Sequence, residues 1–459
     1  MGDLPPSEKP APGPLRIAIL GGGIVGLTLA LALAQQQQQQ LSDPPAPGSN
    51  TPVPPPFTFT LYESAAHFSE IGAGIMIGWN ALKVLRALGV GEEYEALARG
   101  CWLEGGGQAV GRDGEGLFFQ FRFGDGRRGG EPFFTMRTPG GQMNTHRAEL
   151  LELLLAHVPA SCVKFQKQLI RYSQQPGGSI TVAFRDGTQE ECDVLLGADG
   201  IKSTVRKLMY EARGDLALQE PRWSGSYAYR ALVPTEKVLA AVGRTITSTP
   251  MMWLAPSQHA VHYPVAGGKY INVVAFKSDY TKGRCPTWET QDWVEHDVDE
   301  KELMKDYEGC ASQVKAILEL VKRPSRWAMF DVPDLPYFVQ GDVALLGDAA
   351  HAMTPHQGNG ASQGIEDAHL LAHLLAHPKV TPDNVSAALK AYELVRKDRV
   401  QRIKELSYET GRLWELVSPA GDNVTEFARV AEDRMDWIWS VDISKQLQTA
   451  VAWFEMSLA

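Results

Sequence analysis

Cysteine is scarce in this sequence: five in 459 residues (Cys101, Cys162, Cys192, Cys285 and Cys310), an odd number with no C-x-x-C pair. That excludes a disulfide-stapled scaffold and points to a reduced, cytoplasmic setting. Basic charge is short as well, with 44 Lys and Arg against 54 Asp and Glu and a formal net charge of -10. Nothing is left over to neutralise a phosphate backbone, so no nucleic-acid partner is expected. Long apolar runs are missing. Ile17 to Ala34 spans 18 residues without a charge but is broken by Gly21-Gly22-Gly23, which fits two short elements joined by a glycine turn, and no membrane span. The proline-rich N-terminal tail lacks a signal-peptide n-region, and the chain ends Ser457-Leu-Ala459 where a peroxisomal address would read S-K-L. His369 and His373 stand one helical turn apart, yet no H-E-x-x-H surrounds them and no third ligand suggests itself. No metal site is expected.

What is present is organised around glycine. Residues 1–14 read as a disordered Pro/Gly-rich tail. Leu15-Arg-Ile-Ala-Ile-Leu20 is a buried strand, followed by Gly21-x-Gly23-x-x-Gly26 and a helix from Leu27 to about Ala34. In that context Gly21 permits the tight turn, Gly23 lets backbone approach a pyrophosphate, and Gly26 allows close helix–sheet packing. Six glutamines, Gln35–Gln40, and a proline-heavy stretch to Pro56 read as a low-complexity surface loop over 35–56. A second strand, Phe57 to Tyr62, delivers Glu63 to the position that binds ribose hydroxyls, displaced beyond the usual spacing of about 20 residues by the insertion. Gly124-Asp-Gly126-Arg-Arg-Gly129 matches the same string with no helix after it, and reads as a plain loop.

Two further motifs follow. Cys192-Asp-Val-Leu-Leu-Gly-Ala-Asp199-Gly200 leads to Ser203 and Arg206, a strand ending in an Asp-Gly turn before a capped helix. Val343 to Leu346 is a strand that leaves into Gly347-Asp348-Ala-Ala-His351, Pro355-His-Gln-Gly358-Asn-Gly360 and Gly364-Ile-Glu-Asp-Ala368. A helix starting after such a loop presents free N–H groups and a positive dipole end, suited to phosphate and to a ring that becomes anionic.

Taken together, the three motifs resemble those of class A flavoprotein monooxygenases with the p-hydroxybenzoate hydroxylase fold. Within that class the chain is most similar to fungal salicylate-hydroxylase-like enzymes, including those that dearomatise polyketide phenols. Its Trp437-Ile-Trp439-Ser-Val-Asp442 is similar to the W-I-W-x-x-D ending of that subgroup. The resemblance implies FAD, with Gly21, Gly23 and Gly26 at the pyrophosphate and Glu63 at the adenosine ribose. It further implies contacts from Ala73, Arg147, Asp348 and Ala361, with Asp348 placed for ribityl hydroxyls. There is no second dinucleotide fingerprint, so NAD(P)H is expected to dock transiently at the flavin, with O2 as co-substrate. His351 reads as structural, and His356 lies in the flavin loop with its role open.

Ser224 to Pro234 alternates as a strand, with Tyr227 and Tyr229 on one face and Ser226, Ala228 and Arg230 on the other; His259 to Val265 groups Val261, Tyr263 and Val265. Arg230 and Tyr263 match an arginine and a tyrosine that hold phenolate in the phenol-dearomatising relatives. A guanidinium lowers the phenol pKa, and a tyrosine hydroxyl donates to the same oxygen.

The expected fold class is α/β, a Rossmann-like FAD-binding domain interleaved with a β-rich substrate domain plus C-terminal helices. The expected boundaries are 15–222 for the discontinuous FAD-binding part, which can include strands of the substrate domain, and 223–330 for the β-rich domain. The flavin-side motif takes 331–378 and the helical region 379–459. The expected activity is hydroxylation of a small phenol, polyketide-derived and with oxidative dearomatisation, through a C4a-hydroperoxyflavin. The alternatives are a decarboxylating, salicylate-type hydroxylase and a non-oxygenating flavin redox protein.

Overall fold

In the computed structural model the described residues are 13–42, 56–68, 74–100, 114–175, 178–290 and 292–459. The tail before Gly13, the proline-rich stretch 43–55 and Ala73 lie outside them. Among the described residues the first layer is a six-stranded sheet in the order 339–340, 343–345, 194–197, 15–20, 57–62, 163–164. All neighbours are parallel except the 339–340 edge. Leu20 pairs with both Gly197 and Tyr62, so their strands end level. Gly21, Glu63 and Ala198 therefore gather at one edge, the carboxyl edge where parallel sheets bind ligands.

The glycine helix is longer than the sequence reading. It runs Ile24–Ser42, straight through the glutamines read above as loop. Unbranched glutamine is a good helix former, and the amides find fixed acceptors: Gln35 donates to the Leu88 carbonyl at 2.7 Å, Gln37 to Phe57 at 2.6 Å and Gln40 to Ala376 at 2.7 Å. The low-complexity run is thus a docked helical extension.

The second layer is an eight-stranded sheet in the order 294–295, 325–331, 222–234, 270–278, 258–265, 251–255, 115–123, 132–139. The strands Glu115–Phe123 and Pro132–Pro139 come from before the Asp199 motif. Their signal was the alternation Phe119-Gln-Phe121-Arg-Phe123. The β-rich segment is also interrupted by a helix, Thr235–Ser248, whose Val238 is fully buried and which Gly243 breaks at φ 77. Its Glu-Lys-Val-Leu-Ala-Ala run favours helix once the strand ends at Pro234. Further along, the segment carries two short helices, Glu300–Asp306 and Ser312–Leu318, with Gly309 at φ 80 between them.

The two faces of this sheet have different partners. One buries Tyr229, Trp253, Ile271 and Val273 against the short helices, and there the Tyr227 and Tyr229 hydroxyls both donate to Asp306 at 2.8 Å. The other face packs Phe121, Met252, Val261 and Val274 with Trp414, Phe427 and Met435. Those last three come from the long helix Val385–Trp414 and from Val424–Trp439. A large cavity opens between this second face and the carboxyl edge of the six-stranded sheet.

Candidate active site

The glycine loop is made by backbone constraint. Gly21 has φ 104, and a Cβ there would run into the Ala198 carbonyl. A Cβ on Gly26 would overlap the Gly21 carbonyl oxygen, whereas a Cβ on Gly23 would meet no atom within 4 Å. The first and third glycines are needed by the fold, and the second leaves open space for a ligand. Glu63 stands at the end of its strand as expected, with its carboxylate accepting from the Gly22 N–H and the Ala65 N–H, each at 2.7 Å. It thereby braces the glycine turn from the side on which a ribose would lie.

Two cavities meet at this loop. One, of about 330 Å³, is lined by Glu63, Lys167, Asp199 and Lys202; the other, of about 430 Å³, by Arg147, Arg230, Tyr263, Asp348 and Ala361. They share Gly23, Ala198 and Gly200. The two cavities thus adjoin at the glycine loop, an arrangement that suits the two halves of a dinucleotide. Buried polar atoms without a partner cluster in the wider cavity: Gln142 Nε2, Asn144 Oδ1, His356 Nδ1, both side-chain polar atoms of Gln357, and Asn359 Nδ2. Orphaned buried groups call for a polar ligand, and the arrangement fits FAD.

The Asp199 motif supports this arrangement. Asp199 lines the narrow cavity and accepts from the Thr204 N–H at 2.7 Å and the Val205 N–H at 3.1 Å, while Ser203 caps the same helix by accepting from the Arg206 N–H at 2.9 Å. Burial pushes the Asp199 carboxyl up against those donors. The fully buried Arg206 donates to the Ala349 carbonyl at 2.9 Å, tying this helix to the Gly347–His351 turn.

At that turn Gly347 has φ 59 and donates its N–H to Asp367 at 3.0 Å. Asp348 opens the short helix and faces the cavity, exposed. His351 is structural: its Nε2 lies 2.6 Å from Asp367. Asp367 also accepts from Arg396 Nε at 2.7 Å, and Glu366 beside it pairs with Arg396, with Arg399 and with Asn80 Nδ2. The Glu366-Asp367 signal was visible in Gly364-Ile-Glu-Asp-Ala368; its partners on a helix about 30 residues later were not. Helix Gly360–Leu375 points its first turn, with Ala361, at the cavity, where unpaired N–H groups and the dipole favour a developing anion.

The substrate floor is read from the strand register. Arg230 lies opposite Val274, which lies opposite Val261. Two residues along, Ala228, Phe276 and His259 form the next row; on the other side Asn272 faces Tyr263. Arg230 and Tyr263 are brought to one end of the cavity with Arg147, the first residue of helix Arg147–Ala156. Among the described residues no carboxylate pairs with the Arg230 guanidinium; it stacks over Trp327 at 5.1 Å. Burial holds its pKa down, Tyr263 opposing and the Arg147 charge adding. Burial pushes the Tyr263 phenol up, with Arg230 and a hydrogen bond from Asn272 pulling it back.

At the other end two imidazoles line the wall. His356 is buried and pushed down to about 3 by desolvation and the neighbouring His259, so it is neutral in the folded chain. His259 Nδ1 sits 3.1 Å from the fully buried Glu415, a residue that nothing in its local sequence marked out.

The FAD binding domain family matches residues 15–407, and a salicylate hydroxylase of Pseudomonas putida is 37% identical over 448 residues, with 95% of each chain covered. The chain belongs to the class A FAD-dependent monooxygenases. This monooxygenase is also 33% identical to the 6-methylsalicylate 1-monooxygenase atA of Aspergillus terreus, over 96% of this chain and 92% of that one. The solved substrate complex of a salicylate hydroxylase superposes with a TM-score of 0.81 at 32% identity, over 95% and 98% of the two chains. Among the described residues no cluster of three His, Cys, Asp or Glu side chains stands ready to hold a metal, and no helix is long and apolar enough to cross a membrane.

Proposed function

We propose that this flavin monooxygenase takes electrons from NAD(P)H and hydroxylates an ortho-hydroxybenzoate at the carbon bearing the carboxylate, releasing CO2 and a catechol. The observation that carries the reading is Arg230: a guanidinium facing a cavity of about 430 Å³ with no carboxylate partner among the described residues, and a second guanidinium, Arg147, on the same lining. Two positive charges at one end suit a ligand that carries a carboxylate and becomes a phenolate. The activities that the relatives are named for, on salicylate and 6-methylsalicylate, are of that class.

Bound FAD supplies the oxidising chemistry, accepting two electrons from NAD(P)H and turning O2 into an electrophilic oxygen donor. The residues of the chain prepare the acceptor. A phenolate oxygen about 4 Å from a guanidinium gains about 4 kcal/mol at an effective dielectric of about 20, or about three pKa units. That raises the phenolate share of the bound substrate about a thousandfold, and the phenolate is the better nucleophile. The Tyr263 hydroxyl donates to the same oxygen. The apolar middle row, Val261, Val274 and Met252, packs the ring and keeps water from the reacting carbon. One oxygen atom of O2 enters the ring, the other leaves as water with the two electrons from NAD(P)H, and the carboxylate departs as CO2. Were the attacked carbon to carry a methyl group, nothing would leave and the product would be a dearomatised hydroxy-dienone.

The test is NAD(P)H oxidation by the flavin-loaded protein against salicylates and methylated resorcinol aldehydes, with product mass and CO2 recorded. Gain of oxygen with stoichiometric CO2 from a salicylate supports the proposal. Gain of oxygen with all carbons retained, on methylated phenols alone, replaces it by dearomatisation. Flavin reduction with no oxygenated product for any of them sinks both.

A further inference from the structure

The substrate cavity is longer across the sheet than one benzene ring requires. Arg230, Val274, Val261 and Met252 form one row over four adjacent strands, each residue paired with the next. At a strand spacing of about 4.8 Å, Met252 lies about 14 Å from Arg230 across the sheet. The Arg230 guanidinium leans the other way, over Trp327 of the outer strand Ser325–Asp331. Its charge is therefore at one extreme of the row. A salicylate held there by its carboxylate and phenolate covers Val274 and Val261 and reaches Met252 only with its far edge.

Beyond Met252 the cavity continues. The strand Glu115–Phe123 has a register shift between Leu117 and Phe119, and two consecutive side chains, Phe118 and Phe119, line the cavity. Regular alternation would send one of them to the opposite face; a bulge re-aims a side chain and is common beside active sites. The two rings stand edge to face at 4.9 Å, and Trp439 braces Phe118 at 5.0 Å. Met435 and Trp414 belong to the same apolar cluster and also line the cavity, with Trp414 at 4.9 Å from Phe121, the strand partner of Met252. Among the described residues no charged side chain lines this end. The charges on the cavity are Arg147 and Arg230 at the phenolate end and Asp348 at the flavin-side turn. The flavin loop meets the sheet one row along, where His356 stands 5.4 Å from both His259 and Phe276.

An enclosed apolar end favours an apolar occupant and gives a polar one nothing to bond. Methionine beside the phenylalanines lets such a wall adapt to more than one shape. We infer that the substrate is an ortho-hydroxybenzoate extended on the ring edge opposite its hydroxyl and carboxylate by an apolar group, an alkyl chain or a second fused ring. Phe118, Phe119 and Met435 hold the extension and so set the specificity. Groups on the two side edges of the ring point along the strands instead, toward Tyr263 or toward His259, where the wall is polar. The inference rests on the phenol-hydroxylase reading and adds the shape of the substrate.

The experiment compares three probes on the FAD-loaded protein, with binding read from the oxidised flavin's difference spectrum and turnover from the diol product and CO2. Salicylate has no extension. In 3-hydroxy-2-naphthoate the second ring is fused opposite the hydroxyl and carboxylate. In 1-hydroxy-2-naphthoate, with the same atoms and charge, it is fused beside the hydroxyl. With its four added carbons buried at the apolar end, 3-hydroxy-2-naphthoate should bind about tenfold tighter than salicylate or better. The 1-hydroxy isomer should bind no tighter than salicylate. Met435→Trp and Phe118→Trp fill the apolar end and should lower the ratio of 3-hydroxy-2-naphthoate to salicylate affinity about tenfold. Equal affinity for the two naphthoates, affinity for 3-hydroxy-2-naphthoate no higher than for salicylate, or an unchanged ratio in whichever variant folds would overturn the inference. In each of those cases, decarboxylating hydroxylation of salicylate keeps the phenol-hydroxylase reading. If none of the three is bound and hydroxylated, that reading fails and takes the inference with it.

Discussion

Two arginines of this chain are buried in opposite ways. Arg396, fully buried, is closed in by Glu366, Asp367 and the Gln363 side chain and carbonyl, all held within the fold. Arg230 faces a cavity with an indole beneath it and, among the described residues, no carboxylate beside it. The first has all its charge answered by the protein and fixes the helix that carries the flavin-side loop. The second has no such answer among the described residues. A buried charge with its full complement contributes to folding, and one without it is available for binding.

The closed network and the neutral buried histidines of the chain respond differently to acid, and that gives the largest expected effect. Asp367 is pulled down to about 2, with His351 and Arg396 opposing its burial, so the closed network keeps its charges well below neutrality. His262, His356 and His369 are instead buried neutral, pushed down to about 4, about 3 and about 4 by desolvation. Folded pKa values below the unfolded value of about 6.5 mean that the unfolded chain binds more protons. Stability is therefore full above about pH 6.5 and falls as pH drops toward 4, by up to about 4 kcal/mol per pH unit for three such groups. Urea unfolding from pH 7.5 to 4.5 checks it. A flat profile down to pH 4 would show that the carboxylates of the network, and not these histidines, set the acid limit.

Breaking the closed network comes next. Arg396→Met leaves Glu366 and Asp367 facing each other without their main cation and should cost about 3–5 kcal/mol of stability, with loss of FAD on dilution. Thermal unfolding of apo and FAD-loaded protein measures it. Arg230→Ala should do the reverse: thermal stability unchanged or raised, and kcat/KM down about 10²–10³-fold, the loss of one charge-stabilising donor. A variant that loses stability instead would make Arg230 a structural residue like Arg396. Tyr263→Phe is the smallest of the set, about tenfold in kcat/KM for one neutral hydrogen bond, with the pH profile moving up as the phenolate loses a donor.

Legibility in the sequence divides along a similar line. The cofactor edge could be read because its requirements are local: Gly21 and Gly26 are compelled by carbonyls that clash with any Cβ, and a strand before and a helix after them complete the pattern. The glutamine run was misread because composition alone does not say what its amides will reach; Leu88, Phe57 and Ala376 supply carbonyls only in the folded chain. The opposite faces of Tyr229 and Arg230 followed from alternation along one strand. The union of His259 with Glu415 did not, because 156 positions separate them and neither lies in a motif.

By itself, then, the sequence determined the family, the glycine-loop edge of the first sheet and the strand faces that carry Arg230 and Tyr263, since turns, caps and strand periodicity are short-range properties of the chain. Tertiary structure alone decided which buried charges are answered and which are left open. That depends on distant helices: Val385–Trp414 brings Arg396 to Glu366 and Asp367 and Glu415 to His259, and no described acid pairs with Arg230. Electrostatic pairing in a low-dielectric interior is set by separations of a few ångströms, and separations between distant segments exist only once the chain has packed.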